Sequence, residues 1–164
     1  MTKRSLSVAA PATAAEASAG PISLVVDAGV AIKWYVPEVH NAEAKRLLDP
    51  SYTLHVPDLF YAEIGNIVWK KARLLKTPEI TVDEGRQILD LVLGVPVTVH
   101  PIAPLLKSAY ELAVSPARPT VYDCCYLALA ERLNCPLVTA DRVFHDALQG
   151  TPHRPHILWV ADPF

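Results

Sequence analysis

The sequence predicts an α/β fold: a three-layer α/β/α domain on a central parallel five-stranded sheet. Two observations carry this. Short apolar, strand-like runs alternate with helix-like segments, and strands separated by helices pair in parallel between helical layers. Two aspartates, Asp27 and Asp141, follow the apolar runs Ile22-Ser23-Leu24-Val25-Val26 and Leu137-Val138-Thr139-Ala140, and open α/β sheets bind ligands beyond such strand ends. The chain has 164 residues, 51% hydrophobic and 20% charged, enough for one domain with a sizeable core.

Residues 1–20 are rich in Ala, Ser and Pro. Pro11, Thr13 and Glu16 interrupt the apolar segment of about 7–15 residues that a secretory signal needs. This predicts a disordered or non-native tail over 1–20 and a single domain over 21–164. The first strand is Ile22 to Val26, followed by a short helix from Val30 and another from Asn41 to Leu48. Tyr52 to Val56 reads as the second strand. Pro57-Asp58 open a helix running to about Leu75, with Leu59, Phe60, Ile64, Ile67, Val68 and Leu75 on its apolar face. Thr81 and Glu84 form a capping-box pattern for a helix that stops at Gly94. Val97 to His100 is the third strand, and a helix spans Pro104 to Val114. Thr120 to Leu133 is the most apolar helix and therefore central. Leu137 to Ala140 is the fourth strand, Phe144 to Leu148 a short helix, and Ile157 to Val160 the fifth strand.

Composition excludes several classes. No apolar run approaches the roughly 20 residues of a membrane helix, so no membrane association is expected. The net charge of -2 provides no global positive field, so any nucleic-acid contact is local. Cys124, Cys125 and Cys135 are odd in number and lack metal-type spacing, which predicts buried, reduced thiols in a cytoplasmic protein.

Four carboxylates carry the chemistry: Asp27, Glu63, Asp123 and Asp141. Each has a structural reading. Asp27 and Asp141 suit N-caps of the helices that follow them, Asp123 completes a capping box with Thr120, and Glu63 suits a solvated helix residue paired with Lys70 or a neighbour. Convergence is what separates the readings. Two carboxylates about 4 Å apart repel by roughly 4 kcal/mol at an effective dielectric near 20, so a cluster of them implies a cation. Mg²⁺ and Mn²⁺ prefer such oxygen ligands. No Gly-rich phosphate loop, nucleophile elbow or Cys-rich zinc frame is present. The pattern points to metal-assisted hydrolysis of phosphate esters with water as nucleophile.

At these residues the chain resembles the PIN domains, and among them the VapC-type toxin ribonucleases of type II toxin–antitoxin pairs. The matching segments are Val25-Val26-Asp27-Ala28 with Lys33-Trp34 and Pro37-Glu38; Pro57-Asp58-Leu59 through Glu63 and Asn66; Tyr122-Asp123 with Tyr126-Leu127-Ala128-Leu129-Ala130; and Leu137-Val138-Thr139-Ala140-Asp141. The resemblance implies a PIN-like fold and Mg²⁺- or Mn²⁺-dependent endoribonuclease activity. It carries the catalytic positions onto Asp27, Glu63, Asp123 and Asp141. Asp27 and Asp123 are the expected direct metal ligands, with Asp141 and Glu63 completing the site through water or a second metal. Thr139 is expected to position Asp141 at the substrate site. The family usually has a small hydroxyl residue two positions after the first Asp, and this chain has Gly29.

Among basic residues, Lys33 is the expected contact for substrate phosphate, because it lies close after Asp27. Lys71 and Lys76 read as a solvated face, as does Asp146. Trp34 and Tyr35 read as core or interface rather than as base-stacking groups, and His153 and His156 do not make a zinc site. The resemblance further implies a cognate antitoxin protein and a homodimer, with residues 41–75 as the contact surface. The alternatives are a PIN-type RNA-processing nuclease without antitoxin, and an inactive PIN scaffold binding RNA or protein. A receiver-type or Asp-based phosphatase domain needs a second acid beside Asp27, which this sequence lacks.

Overall fold

Leu24, Val25 and Val26 are consecutive and all buried in the first strand, β1 (Ile22–Val26). Strand side chains alternate between faces, so three buried in a row require cover on both faces, as parallel sheets have. The remaining strands are β2 (Tyr52–Pro57), β3 (Val97–His100), β4 (Leu137–Thr139) and β5 (Ile157–Trp159). In the computed structural model, which describes residues 20–74, 76–114 and 120–163, they form one all-parallel sheet of order β3-β2-β1-β4-β5. The predicted α/β fold is the observed one. The expected tail lies outside the described residues, Gly20 apart, and so does the expected helix end at Leu75.

Among the described residues seven α-helices connect the strands: α1 (Ala28–Ala31), α2 (Asn41–Lys45), α3 (Phe60–Trp69), α4 (Val82–Leu93), α5 (Leu106–Ala113), α6 (Val121–Leu133) and α7 (Arg142–Ala147). None is long and apolar enough to cross a membrane. α6 is the central helix: Cys124 through Ala130 are all buried, and it packs on β1, β2 and β4. Its N-terminus carries the capping box of Thr120 and Asp123, and Asn134 in the left-handed conformation ends it, a position that favours Asn or Gly. Thr81 and Glu84 form the expected capping box of α4. Where α4 crosses α3, a Cβ on Gly85 would meet Val68 Cγ1 at 3.0 Å. That close approach accounts for a glycine inside a helix, where it costs about 1 kcal/mol relative to Ala.

The expected long helix after Asp58 is corrected in one respect. Regular α3 stops at Trp69, and Lys70–Leu74 form a π turn. Such wider turns are rare and frequent at functional sites.

The sheet order fixes where a site sits. From β1 the chain builds β2 and β3 outward on one side, and β4 and β5 on the other. The switch point lies between β1 and β4, which pair through Val25 with Leu137 and Val26 with Val138. The crevice beyond their carboxyl ends is the expected ligand position.

Candidate active site

Asp27 is the first residue beyond β1 and Asp141 the second beyond β4, so the switch point brings these two acids to one place. Glu63 arrives from the first turn of α3, and Asp123 from the first turn of α6. All four line one cleft of about 600 Å³.

The structural readings of the aspartates hold together with their convergence. Asp27 caps α1, its Oδ1 accepting the Val30 N–H at 2.6 Å. Asp141 caps α7, its Oδ1 accepting the Phe144 N–H at 3.0 Å. Asp123 Oδ2 accepts from the Thr120 N–H at 3.1 Å and from the Thr120 hydroxyl at 2.7 Å. Each cap stabilises its helix by about 1 kcal/mol. Each also fixes a side-chain rotamer, so the carboxylates meet the cleft already oriented.

Thr139, fully buried, joins two of the acids. Its Oγ1 accepts the Asp141 N–H at 3.0 Å, and its hydroxyl hydrogen-bonds the Asp27 carboxylate. The Ala140 N–H adds a donor to Asp27 Oδ2 at 3.3 Å. These bonds favour the charged carboxylate, yet burial outweighs them, and Asp123 adds repulsion. The Asp27 carboxyl is pushed up to about 6.

Glu63 is also raised above its ordinary range, by burial first and then by repulsion from Asp123 and Asp27. Opposing this, the Tyr126 phenol donates to Glu63 Oε2 at 2.5 Å. The same burial and the neighbouring carboxylate drive the Tyr126 hydroxyl upward, so it stays a donor. Glu63 is therefore bound to a buried phenol and is not the solvated partner of Lys70.

The donor chemistry fits a hard divalent cation. Four carboxylates line the cleft, and two of them resist ionisation where they stand. A cation relieves that penalty directly. Among the described residues no group of three or more His, Cys, Asp or Glu side chains stands close enough together to hold a metal ion. An open arrangement matches Mg²⁺, which takes one or two carboxylates and keeps several waters. Gly29 also lines the cleft, and a Cβ there would stand 3.3 Å from Asp27 Oδ1, so glycine leaves the approach to that oxygen open.

Lys33 lines the cleft, but its Nζ is held by Glu38 Oε2 at 2.7 Å. Lys71 is not on a solvated face: it lines the cleft too, with its side chain 13% exposed. Glu63, Ile67 and Lys71 recur every fourth residue, and that row was the available signal for Lys71. Lys76 is exposed. Trp34 is buried in the core, its Nε1 donating to the Ala44 carbonyl at 3.0 Å. Asp146 stays outside the cleft, paired with Arg142 and His145. His153 hydrogen-bonds Glu131. The three cysteines are buried, and burial pushes the Cys125 and Cys135 thiols up.

The PIN domain family model matches residues 24–147, a span that includes all four acids. The chain belongs to the PIN-domain family. Ribonuclease VapC3 of Pyrobaculum aerophilum is 37% identical over 123 residues, covering 74% of this PIN protein and 91% of its own length. Ribonuclease VapC9 of Mycobacterium tuberculosis is 33% identical over 127 residues, covering 77% and 92% respectively. Among solved structures, PAE2754 from Pyrobaculum aerophilum superposes with a TM-score of 0.60 at 25% identity, over 92% of this chain and 93% of that one.

Proposed function

We propose that this PIN domain is a metal-dependent endoribonuclease that hydrolyses RNA phosphodiester bonds, and that it is the toxin component of a toxin–antitoxin pair. The observation that carries the reading is the convergence of Asp27, Glu63, Asp123 and Asp141 on one cleft, with Asp27 and Glu63 both pushed toward the protonated form. The relatives named as VapC ribonucleases support the substrate class.

On this reading Asp27, Asp123 and Asp141 would hold Mg²⁺ or Mn²⁺, which would supply activation of a water nucleophile and stabilisation of the leaving oxygen. Thr139 keeps Asp27 and Asp141 in register. Glu63 is the remaining carboxylate and accepts the proton of the attacking water, since a base works best with a pKa raised toward the operating pH. Tyr126 holds its other oxygen fixed. Lys33 contributes positive charge for the substrate phosphate. A cognate antitoxin protein and a homodimer belong to the same reading. Within the expected contact region, 41–75, Leu48 and Trp69 are exposed apolar side chains.

The test is incubation of the purified chain with total RNA in Mg²⁺, Mn²⁺ or EDTA, followed by end-group analysis. With the 3′-oxygen as leaving group, attack by water leaves 5′-phosphate and 3′-hydroxyl ends, formed with metal and absent in EDTA. Cyclic 2′,3′-phosphate ends, or equal cleavage in EDTA, would contradict the mechanism.

A further inference from the structure

The cleft holds a second charged group beside the acids. Lys33 Nζ donates to Glu38 Oε2 at 2.7 Å, and Lys71 Nζ pairs with Glu38 Oε1. Lys71 also reaches Glu79 Oε2 at 2.6 Å. Lys33 lies in the turn after α1, Glu38 in the loop before α2, and Lys71 in the π turn after α3. Three segments therefore deliver one ion-pair chain to the cleft that contains Asp27, Glu63 and Asp123. Both lysine side chains are 13% exposed, too deep for solvated surface charges. Burial works against the Glu38 charge, yet the hydrogen bonds from Lys33 and Lys71 prevail and hold its carboxyl below the ordinary range.

This arrangement has the form of an occupied anion site. Glu38 presents one oxygen to each ammonium group. A phosphodiester presents its two non-bridging oxygens in the same way, and lysine binds phosphate as a point charge on a flexible stem. An RNA strand entering a cleft of carboxylates needs compensating cations inside it, and Lys33 and Lys71 are placed to provide them.

We propose that Lys33 and Lys71 form a clamp for a backbone phosphate of the RNA strand, and that Glu38 is its anionic stand-in, holding the two ammonium groups together until the phosphate displaces it. The substrate class rests on the nuclease reading. The clamp itself is tested by binding, so the two can fail separately. A brace that merely ties the loop before α2 to α3 would use the same ion pairs, but it predicts the opposite sign at Glu38. Removing a stand-in frees the lysines for RNA, whereas removing a brace disorders them.

The experiment is binding of a labelled, mixed-sequence single-stranded RNA to the full chain, in EDTA so that no strand is cut, across a series of KCl concentrations. Lys71→Ala should weaken binding several-fold and lower the slope of log K against log salt by about 0.7, the loss of one phosphate contact on a single strand. Lys71→Arg should keep that slope. Glu38→Gln, nearly isosteric, should bind RNA more tightly than wild type. Wild-type affinity and slope in Lys71→Ala, or unchanged or weaker binding in Glu38→Gln, would overturn the clamp. Thermal melts accompany each variant. If Lys71→Ala does not fold, Glu38→Gln decides alone. Failure of the nuclease reading shows up elsewhere, as wild-type protein that binds RNA with these slopes and cuts none of it in Mg²⁺.

Discussion

The Tyr126 phenol donates to Glu63 Oε2 at 2.5 Å, linking the most buried helix of the fold to the one acid of the cleft that lies on α3. The bond opposes the upward push of burial on Glu63. Tyr126→Phe removes it, so the Glu63 carboxyl should rise further. The acid limb of the pH–rate profile should then move to higher pH. Loss of a hydrogen bond to a charged group should cost about 1–3 kcal/mol of stability, read by urea titration. An unmoved acid limb would remove Glu63 from the proton transfer.

Thr139 should be equally sensitive, because it serves Asp27 and Asp141 at once with no exposure to solvent. Thr139→Val keeps the shape and deletes the hydroxyl. It should destabilise by about 1–3 kcal/mol and lower activity, while Thr139→Ser should restore most of both. Wild-type stability and activity in Thr139→Val would show that only the shape matters.

The pH dependence of metal-free stability has a definite sign. Asp27 holds its proton to about pH 6 in the folded chain, against 3.8 for its ordinary value. Between those values the folded state binds more protons than the unfolded one, so this group's contribution falls as pH rises through the window. At about 1.4 kcal/mol per unit the loss is up to about 3 kcal/mol. Other groups titrate nearby, so the informative quantity is the difference between Asp27→Asn and wild type in EDTA. It should shift in favour of Asn from pH 4 to 7. A flat difference would mean that Asp27 is not held protonated.

Divalent metal should reverse that penalty. Thermal melts should rise with Mg²⁺ concentration, by about 2.7 kcal/mol of added stability at 100 times the dissociation constant. Asp123→Asn should lose most of this rise. An identical rise in wild type and variant would place the cation elsewhere.

Much of the fold was legible because β1 and β4 are continuous apolar runs bounded by acids, and because α4 and α6 open on capping boxes written in the sequence. The convergence of Asp27 and Asp141 follows from their places after β1 and β4. Other features were not legible. Tyr126 sits in an unbroken buried stretch, and nothing local marks its hydroxyl as the partner of an acid 63 residues away. The π turn that ends α3 has no proline or glycine to announce it. The aspartates posed a different difficulty: the capping and ligand readings looked like rivals, whereas a carboxylate that caps a helix can still face a cleft, as Asp27, Asp123 and Asp141 do.

The most direct test of the central claim uses that same property of Asp123. Its Oδ2 is already engaged by Thr120, so Asp123→Asn can keep the cap through its amide oxygen while removing the charge. One RNA should be incubated with folded wild type and with folded Asp123→Asn, each in Mg²⁺ and in EDTA. Metal-dependent cleavage by wild type, falling to the EDTA background in the variant, is the predicted result. Equal cleavage by both proteins in Mg²⁺ would contradict the assignment of this cleft as the active site.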